Sequence, residues 1–443
     1  MKFSIKELGK IKSADFEIKD LTIFVGKNST NKSYAAHTVY MLNKILSEYS
    51  SQGLTISAIM DDNLFELFIK DNADKFKDFK NSDSSKNPII IDNIEDYNLG
   101  EFIKSAKKFF EKDILHKINE SFNSNKIILQ SIKLNTNPIK LQKTISYKKN
   151  SNDYINTIFQ EVYFQTLKSI LESFNKIKIA KKVFFFPASR TGFILAFDEI
   201  ISGLLRNKFG NKITSTKLTA PTIDFLLSFY DIKNSTFNIS NNLQESKIKN
   251  ILEFIENRLL KGKILEESNN LNSKEFYFKP KDSDELELFL TSSSTVEMLP
   301  LVVFLQNIDS LEDKLLIIEE PEAHLHPQAQ IEIARVIVML VNAGAKVLIT
   351  THSDYIISEI NNCIKLSNIN KEFLNEYLKE YKLNKDIIIS KNKVSTYIFK
   401  DTTNSVKVEK LNTDNYGIYN DNFDEILDEL LDRSQKLNEN VKD

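Results

Sequence analysis

Leu315-Leu-Ile-Ile-Glu319-Glu320-Pro-Glu-Ala-His324-Leu-His326-Pro327 is the stretch from which the fold is read. Leu315 to Ile318 hold no turn former and read as a buried central strand. The adjacent carboxylates at its carboxyl end, Glu319 and Glu320, cannot both point into that core, so they face a cleft. In an open α/β sheet, ligands bind beyond the carboxyl ends of the strands, which places this pair to meet one. Adjacent like charges raise the free energy unless a cation or a phosphate network compensates, which favours a metal-dependent site over plain structure.

Upstream, Phe3 to Ile5, Ala14 to Ile18 and Leu21 to Val25 read as short strands. The last runs straight into Gly26-Lys27-Asn28-Ser29-Thr30-Asn31-Lys32-Ser33. This matches the phosphate-binding pattern Gly-x4-Gly-Lys-Ser except that Asn31 stands where the last glycine is expected. Asparagine is the non-glycine residue most at ease with positive φ, so the loop can still turn its N–H groups toward a phosphate. Lys32 is then expected to reach the β- and γ-phosphates of ATP and Ser33 to ligate Mg2+, with a helix from Tyr34 to Leu46 presenting its amino end to the anion. The competing reading is a polar strand-to-helix turn that happens to contain Lys-Ser, and the combination of strand, helix and a downstream strand ending in Glu-Glu weighs against it.

Beyond Pro327 a helix from Ile331 to Val341 leads to Lys346-Val-Leu-Ile-Thr-Thr-His352-Ser, a second buried strand with His352 just past its end. In series with the other motifs, His352 reads as a γ-phosphate sensor. Ser292, Ser293 and Ser294 offer an N-cap before a helix, and hydroxyls at a helix start make an anion site, although an ordinary cap is the commoner use. Val183 to Phe186 form another apolar strand, left by a tight loop that carries Arg190. Only five of the 59 basic residues are arginine, Arg190, Arg206, Arg258, Arg335 and Arg433. Arg190 therefore reads either as planar contact with a carboxylate or phosphate, or as a salt bridge anchoring its loop.

The 443-residue chain has ample surface to bury, and its formal net charge of −2 says nothing about nucleic acid, because a balanced total can hide a basic face. Met1-Lys-Phe-Ser-Ile lacks the apolar core of a signal peptide and no long apolar run exists, so a cytoplasmic protein without a membrane span is expected. The single cysteine, Cys363, fits that reading and leaves no internal disulfide. Residues 101–182 hold 16 Lys against 7 Asp plus Glu, interleaved with Phe109, Phe110, Phe122, Tyr147, Tyr154, Phe159 and Phe164. Such an insert can bind DNA, but a solvated helical face in a lysine-rich chain is the simpler reading. Phe193 to Leu205 and Ile248 to Leu260 read as amphipathic helices, Phe276 to Phe278 and Leu286 to Leu290 as strands, and Val394 to Phe399 with Val406 to Lys410 as a hairpin.

The order Gly26 to Ser33, Pro187 to Gly192, Ser292 to Glu297, Leu315 to Glu322, then Thr350 to Ser353 resembles the ABC-type ATPases. In particular it resembles the bacterial group with an Old-like head, labelled AAA family ATPases and found in antiphage defence operons. The resemblance implies an α/β P-loop NTPase of ABC type with a helical insert lobe. It further implies that Glu319 is the Mg2+-side acid, Glu320 the general base and His352 the switch histidine, with His326 in a dimer-contacting loop. Ser292 to Ser294 correspond to the signature that closes over the partner subunit's ATP, giving an ATP-sandwiched homodimer or higher homo-oligomer. Ser294 replaces the usual glycine and Glu319 the more frequent aspartate, which points to slow turnover. No glutamine is assigned to the Q-loop. The 91 residues after His352 are too few for an appended nuclease domain, so a separate effector protein such as a nuclease is expected. A DNA-binding ATPase of repair or chromosome maintenance is the alternative. The ATPase head then comprises residues 1–49, 183–205 and 286–365, interrupted by a basic helical insert at 50–182 and a helical/hairpin insert at 206–285, and followed by a C-terminal extension at 366–443.

Overall fold

The computed structural model describes residues 1–51, 70, 89–91, 100–124, 126–134, 145–147, 163, 166, 170, 180–209, 218–234, 246–268, 273–419 and 432–435. Nine strands form the main sheet: β1 (Lys2–Leu8), β2 (Ile11–Glu17), β3 (Leu21–Gly26), β4 (Leu129–Leu134), β5 (Lys182–Phe186), β6 (Lys314–Glu319), β7 (Lys346–Thr351), β8 (Val394–Asp401) and β9 (Val406–Leu411). Their spatial order is β4-β1-β2-β9-β8-β3-β7-β6-β5. From β8 to β5 every neighbouring pair is parallel, whereas β4-β1-β2 and β8-β9 are antiparallel. The two parts meet through the parallel pairing of Val406 with Ile11.

Parallel strands need crossover connections, and helices supply them. Helix α1 (Lys32–Ser51) follows β3, α2 (Ser293–Gln306) precedes β6, α3 (Pro327–Asn342) joins β6 to β7, and α4 (Asp354–Lys365) follows β7. These helices cover the sheet on both faces, which is why β6 carries an unbroken apolar run. Leu316 and Ile318 pack on the α3 face and Leu315 and Ile317 on the α1 face. Successive side chains in a strand alternate sides, so a strand buried on both faces has no polar position to spare.

Tertiary context adjusts several elements read from sequence. Helix α1 begins at Lys32, inside the phosphate-loop motif. The helix expected over Phe193 to Leu205 is two helices, Arg190–Leu195 and Phe197–Phe209, separated at Ala196. Ile248 to Leu260 is α-helical only over Ser246–Phe254 and continues as a π-helical turn, Ile255–Leu260, ended by Lys261 at φ 52°. Leu286 to Leu290 pairs as a strand only over Leu286–Glu287 and then winds into a 3-10 turn, Leu288–Leu290. The hairpin near the carboxyl end forms as β8 and β9, but it is built into the head's sheet, with β8 lying parallel to the strand that feeds the phosphate loop.

The basic insert also contributes to the head. Its helix Gly100–Ser121 packs on α1, and β4 forms the sheet edge. Phe110 and Phe122 are buried there, the latter stacked on His37 with ring centroids 4.1 Å apart, and Phe109 packs against the same cluster. Phe110 and Phe122 thus serve the core of the head. The side chain of Tyr147, and Tyr154, Phe159 and Phe164, lie outside the described residues. Among the described residues no helix is long and apolar enough to cross a membrane.

Candidate functional site

The phosphate loop is built by backbone that ordinary residues avoid. Gly26 has φ 147°, and a Cβ there would lie 2.5 Å from the Phe399 carbonyl oxygen, so glycine is required both by conformation and by the close approach of β8. Asn31 takes φ 66°, the left-handed conformation that asparagine tolerates, and its Oδ1 accepts from the Lys10 N–H at 3.4 Å, tying the loop to the β1–β2 turn. Thr30 Oγ1 donates to the Lys27 carbonyl at 2.8 Å. Lys32 Nζ donates to the carbonyls of Gly26 and Lys27, each at 2.9 Å. Burial pulls the Lys32 pKa down to about 8, although Glu320, Glu322 and Glu319 all act to raise it.

The two carboxylates at the end of β6 go separate ways. Glu319 is buried, with Oε2 accepting from the Ala188 N–H at 3.4 Å. Glu320 turns out of the strand at φ 43°, its N–H held by the Thr350 carbonyl at 2.9 Å, and its side chain is 41% exposed. A left-handed glutamate costs about 1–2 kcal/mol, and such strain persists where the surroundings over-determine it. His352 Nε2 stands 3.8 Å from Glu320 Oε1. Burial, then the positive charge of Lys32, lowers the His352 pKa against the pull of Glu320, so the ring is neutral near pH 7.

Glu322 is the residue that sequence reasoning missed. Its Oε1 accepts the His352 main-chain N–H at 2.6 Å, and burial raises its pKa while hydrogen bonds from His352 and Thr351 oppose that shift. Its place, two residues past Glu320 and next to a proline that bends the chain back, was the available signal.

The residues fit Mg2+. Glu319 Oε1 is buried without a hydrogen-bond partner. Burial raises the Glu319 pKa, opposed by hydrogen bonds from the Ser33 hydroxyl and the Ala188 N–H. A hydroxyl and an unspent carboxylate oxygen are the hard donors Mg2+ takes, one or two from protein with the rest from phosphate and water. Accordingly, no group of three or more His, Cys, Asp or Glu suited to a metal occurs among the described residues.

Ser292 caps α2, accepting from the Thr295 N–H at 3.3 Å, and its Oγ pairs with Ser294 Oγ at 2.8 Å and Thr295 Oγ1 at 2.9 Å. The helix starts at Ser293, within the triplet. Among the described residues, no hydrogen bond or ion pair joins Ser292, Ser293 or Ser294 to the loop Gly26 to Ser33; the triplet is tied instead to Thr191, whose Oγ1 donates to the Ser293 carbonyl at 3.3 Å. One chain therefore brings Lys32, Glu319, Glu320 and His352 close enough to act on one another's charge, while the serine triplet makes no direct hydrogen bond to the loop among the described residues. Arg190 both meets a carboxylate and anchors its loop: Nη2 lies 2.7 Å from Glu297 Oε1, and Nη1 donates to the Glu319 carbonyl at 2.7 Å. His326 caps α3, its Nδ1 accepting from the Gln328 N–H at 3.4 Å.

Residues 1–357 match a family described as an AAA ATPase domain. No curated protein matches the chain. Among solved structures it is similar to an Smc head bound to the C-winged helix domain of ScpA, with 12% identity and TM-score 0.37 over 93% of this chain and 97% of that one. It is likewise similar to the Pyrococcus furiosus Smc head domain with an extended coiled coil bound to the C-terminal domain of ScpA (13%, TM-score 0.34, 97% and 98% covered). The SMC head domain from Thermotoga maritima is a third (9%, TM-score 0.32, 93% and 98% covered).

Proposed function

This chain belongs to the AAA ATPase domain family and is an ATP-hydrolysing enzyme, and from that premise we propose that it works as a nucleotide-driven switch in which a second copy closes over the ATP held by the first. The N–H groups of Lys27 to Ser33 and the Lys32 ammonium hold the phosphates. Ser33 and Glu319 hold Mg2+, which when bound neutralises phosphate charge. Glu320 orients the attacking water and accepts its proton, while neutral His352 reads the γ-phosphate end from beside Glu320. Such catalysis is mostly positioning and charge neutralisation. Ser292, Ser293 and Ser294, which make no hydrogen bond to their own loop among the described residues, supply hydroxyls and a helix amino terminus to the partner's γ-phosphate, giving an ABC-type sandwich.

The observation that carries this reading is the convergence of a buried lysine, a buried carboxylate, an exposed carboxylate and a half-buried histidine at the carboxyl ends of β3, β6 and β7. The output is control of a separate effector chain in antiphage defence, which rests on the family resemblance alone. Phosphate release from Mg-ATP tests the chemistry. The wild type is expected to turn over slowly and Glu320→Gln to bind Mg-ATP without turnover; equal turnover by both contradicts the assignment of Glu320.

A further inference from the structure

The guanidinium of Arg190 is buried, and all three of its nitrogens are engaged. Nη1 donates to the carbonyls of Glu319 at 2.7 Å and Pro187 at 3.1 Å. Nη2 donates to the Glu320 carbonyl at 3.3 Å and lies 2.7 Å from Glu297 Oε1, and Nε donates to the Glu297 carbonyl at 3.4 Å. Glu297 sits on α2, one turn past the serine triplet. Its other oxygen, Oε2, accepts from the Thr191 N–H at 2.9 Å and the Thr191 hydroxyl at 2.7 Å.

One planar side chain thus spans the peptides of both site carboxylates and the helix that carries Ser293 and Ser294. A lysine ammonium, a single point of charge, cannot reach all of these, which accounts for arginine in a chain that otherwise uses lysine. Hydrogen bonds in a dry interior resist lengthening, so a shift of α2 must carry Arg190 with it or break a buried charge pair. The other end of the clamp is Glu320 at φ 43°, whose side-chain direction depends on the peptide that Arg190 holds.

We propose that Arg190 is a positioning residue that transmits the position of α2 to the Glu319–Glu320 peptides, so that engagement of the serine end of α2 sets the direction of the Glu320 carboxylate and hence the turnover rate. This rests on the ATPase reading of the cleft given above. It assigns Arg190, Thr191 and Glu297 a regulatory role in addition to their structural one.

Two variants and two readouts test it. Arg190→Lys keeps the buried charge but not the fork, and is expected to leave KM for ATP within about twofold while kcat falls about tenfold or more. Thr191→Val removes the hydroxyl bonds to Glu297 and Ser293 with little change of shape, and is expected to lower kcat about threefold at unchanged KM. In Thr191→Val, hydrogen exchange at the amides of Glu319 and Glu320 is expected to quicken several-fold without any nucleotide present. Unchanged exchange there, or a kcat per folded site equal to wild type in both variants, overturns the clamp and leaves Arg190 merely structural. A wild type that hydrolyses no ATP while Thr191→Val still shows the faster exchange overturns the reading of the cleft and supports the clamp.

Discussion

The main-chain N–H of His352 donates a 2.6 Å hydrogen bond to Oε1 of Glu322, so the end of β7 is held by a carboxylate two places beyond Glu320. A buried N–H left without its acceptor costs about 1–3 kcal/mol, and His352 relaxes away from Glu320 to avoid it. Glu322→Ala is therefore expected to lower kcat about tenfold while ATP affinity stays within about threefold, as read by steady-state kinetics and calorimetry. A folded Glu322→Ala protein with wild-type kcat shows that the contact has no bearing on turnover.

Lys32 should make nucleotide binding pH-dependent. Its folded pKa of about 8 lies below the ordinary 10.5. Burying the ammonium thus weakens the fold at pH values below 8, and this penalty is relieved as pH rises from 8 toward 10.5. Phosphate binding needs the ammonium, so ATP affinity runs the other way. It is expected to fall about tenfold between pH 7 and pH 9, while Lys32→Gln binds about ten- to a hundredfold more weakly at pH 7 and shows a flat profile. Calorimetry across that range decides, and parallel slopes for the two proteins contradict the role of Lys32.

The carboxylate pair should separate by function. Glu320→Gln keeps Mg-ATP binding and loses turnover by about a hundredfold or more, whereas Glu319→Gln weakens the Mg2+ dependence of binding itself. Magnesium titrations at fixed ATP distinguish the two, and equal, mild losses in both variants mean that the pair is structural.

Asn31 offers a conformational test. Asn31→Gly is expected to bind ATP within about threefold of wild type, because glycine takes φ 66° freely. Asn31→Val forces a β-branched residue into the left-handed region at about 1–2 kcal/mol and should weaken binding about tenfold. Equal affinities for the two variants indicate that the loop's geometry does not depend on this position.

Where each part of the molecule was legible follows from how local its cause is. The unbroken run Leu315 to Ile318 revealed β6 because burial on both faces is written into consecutive residues, and Asn31 was readable because positive φ is a property of one residue. The hairpin β8–β9 showed as two short strand-like runs, Val394 to Phe399 and Val406 to Lys410. Its place beside β3 did not, since a parallel pairing between Gly26 and Phe399 leaves no period in the sequence. Glu322 escaped notice because its partner is a backbone N–H on another strand. Arg190 was picked out as unusual, but its five contacts come from three separate segments, and only the folded chain shows that it ties α2 to the end of β6. The π-helical turn at Ile255–Leu260 keeps the apolar spacing of an α-helix closely enough to pass for one.

The claim that ATP joins two copies through Ser292, Ser293 and Ser294 is tested most directly by light scattering on Glu320→Gln, in which bound ATP persists. Mass is expected to double with Mg-ATP and to stay at the monomer value with ADP or no nucleotide, and Ser293→Arg added to this background should abolish the shift while ATP still binds the single chain. The same mass with ATP, with ADP and with nothing bound contradicts ATP-driven closure.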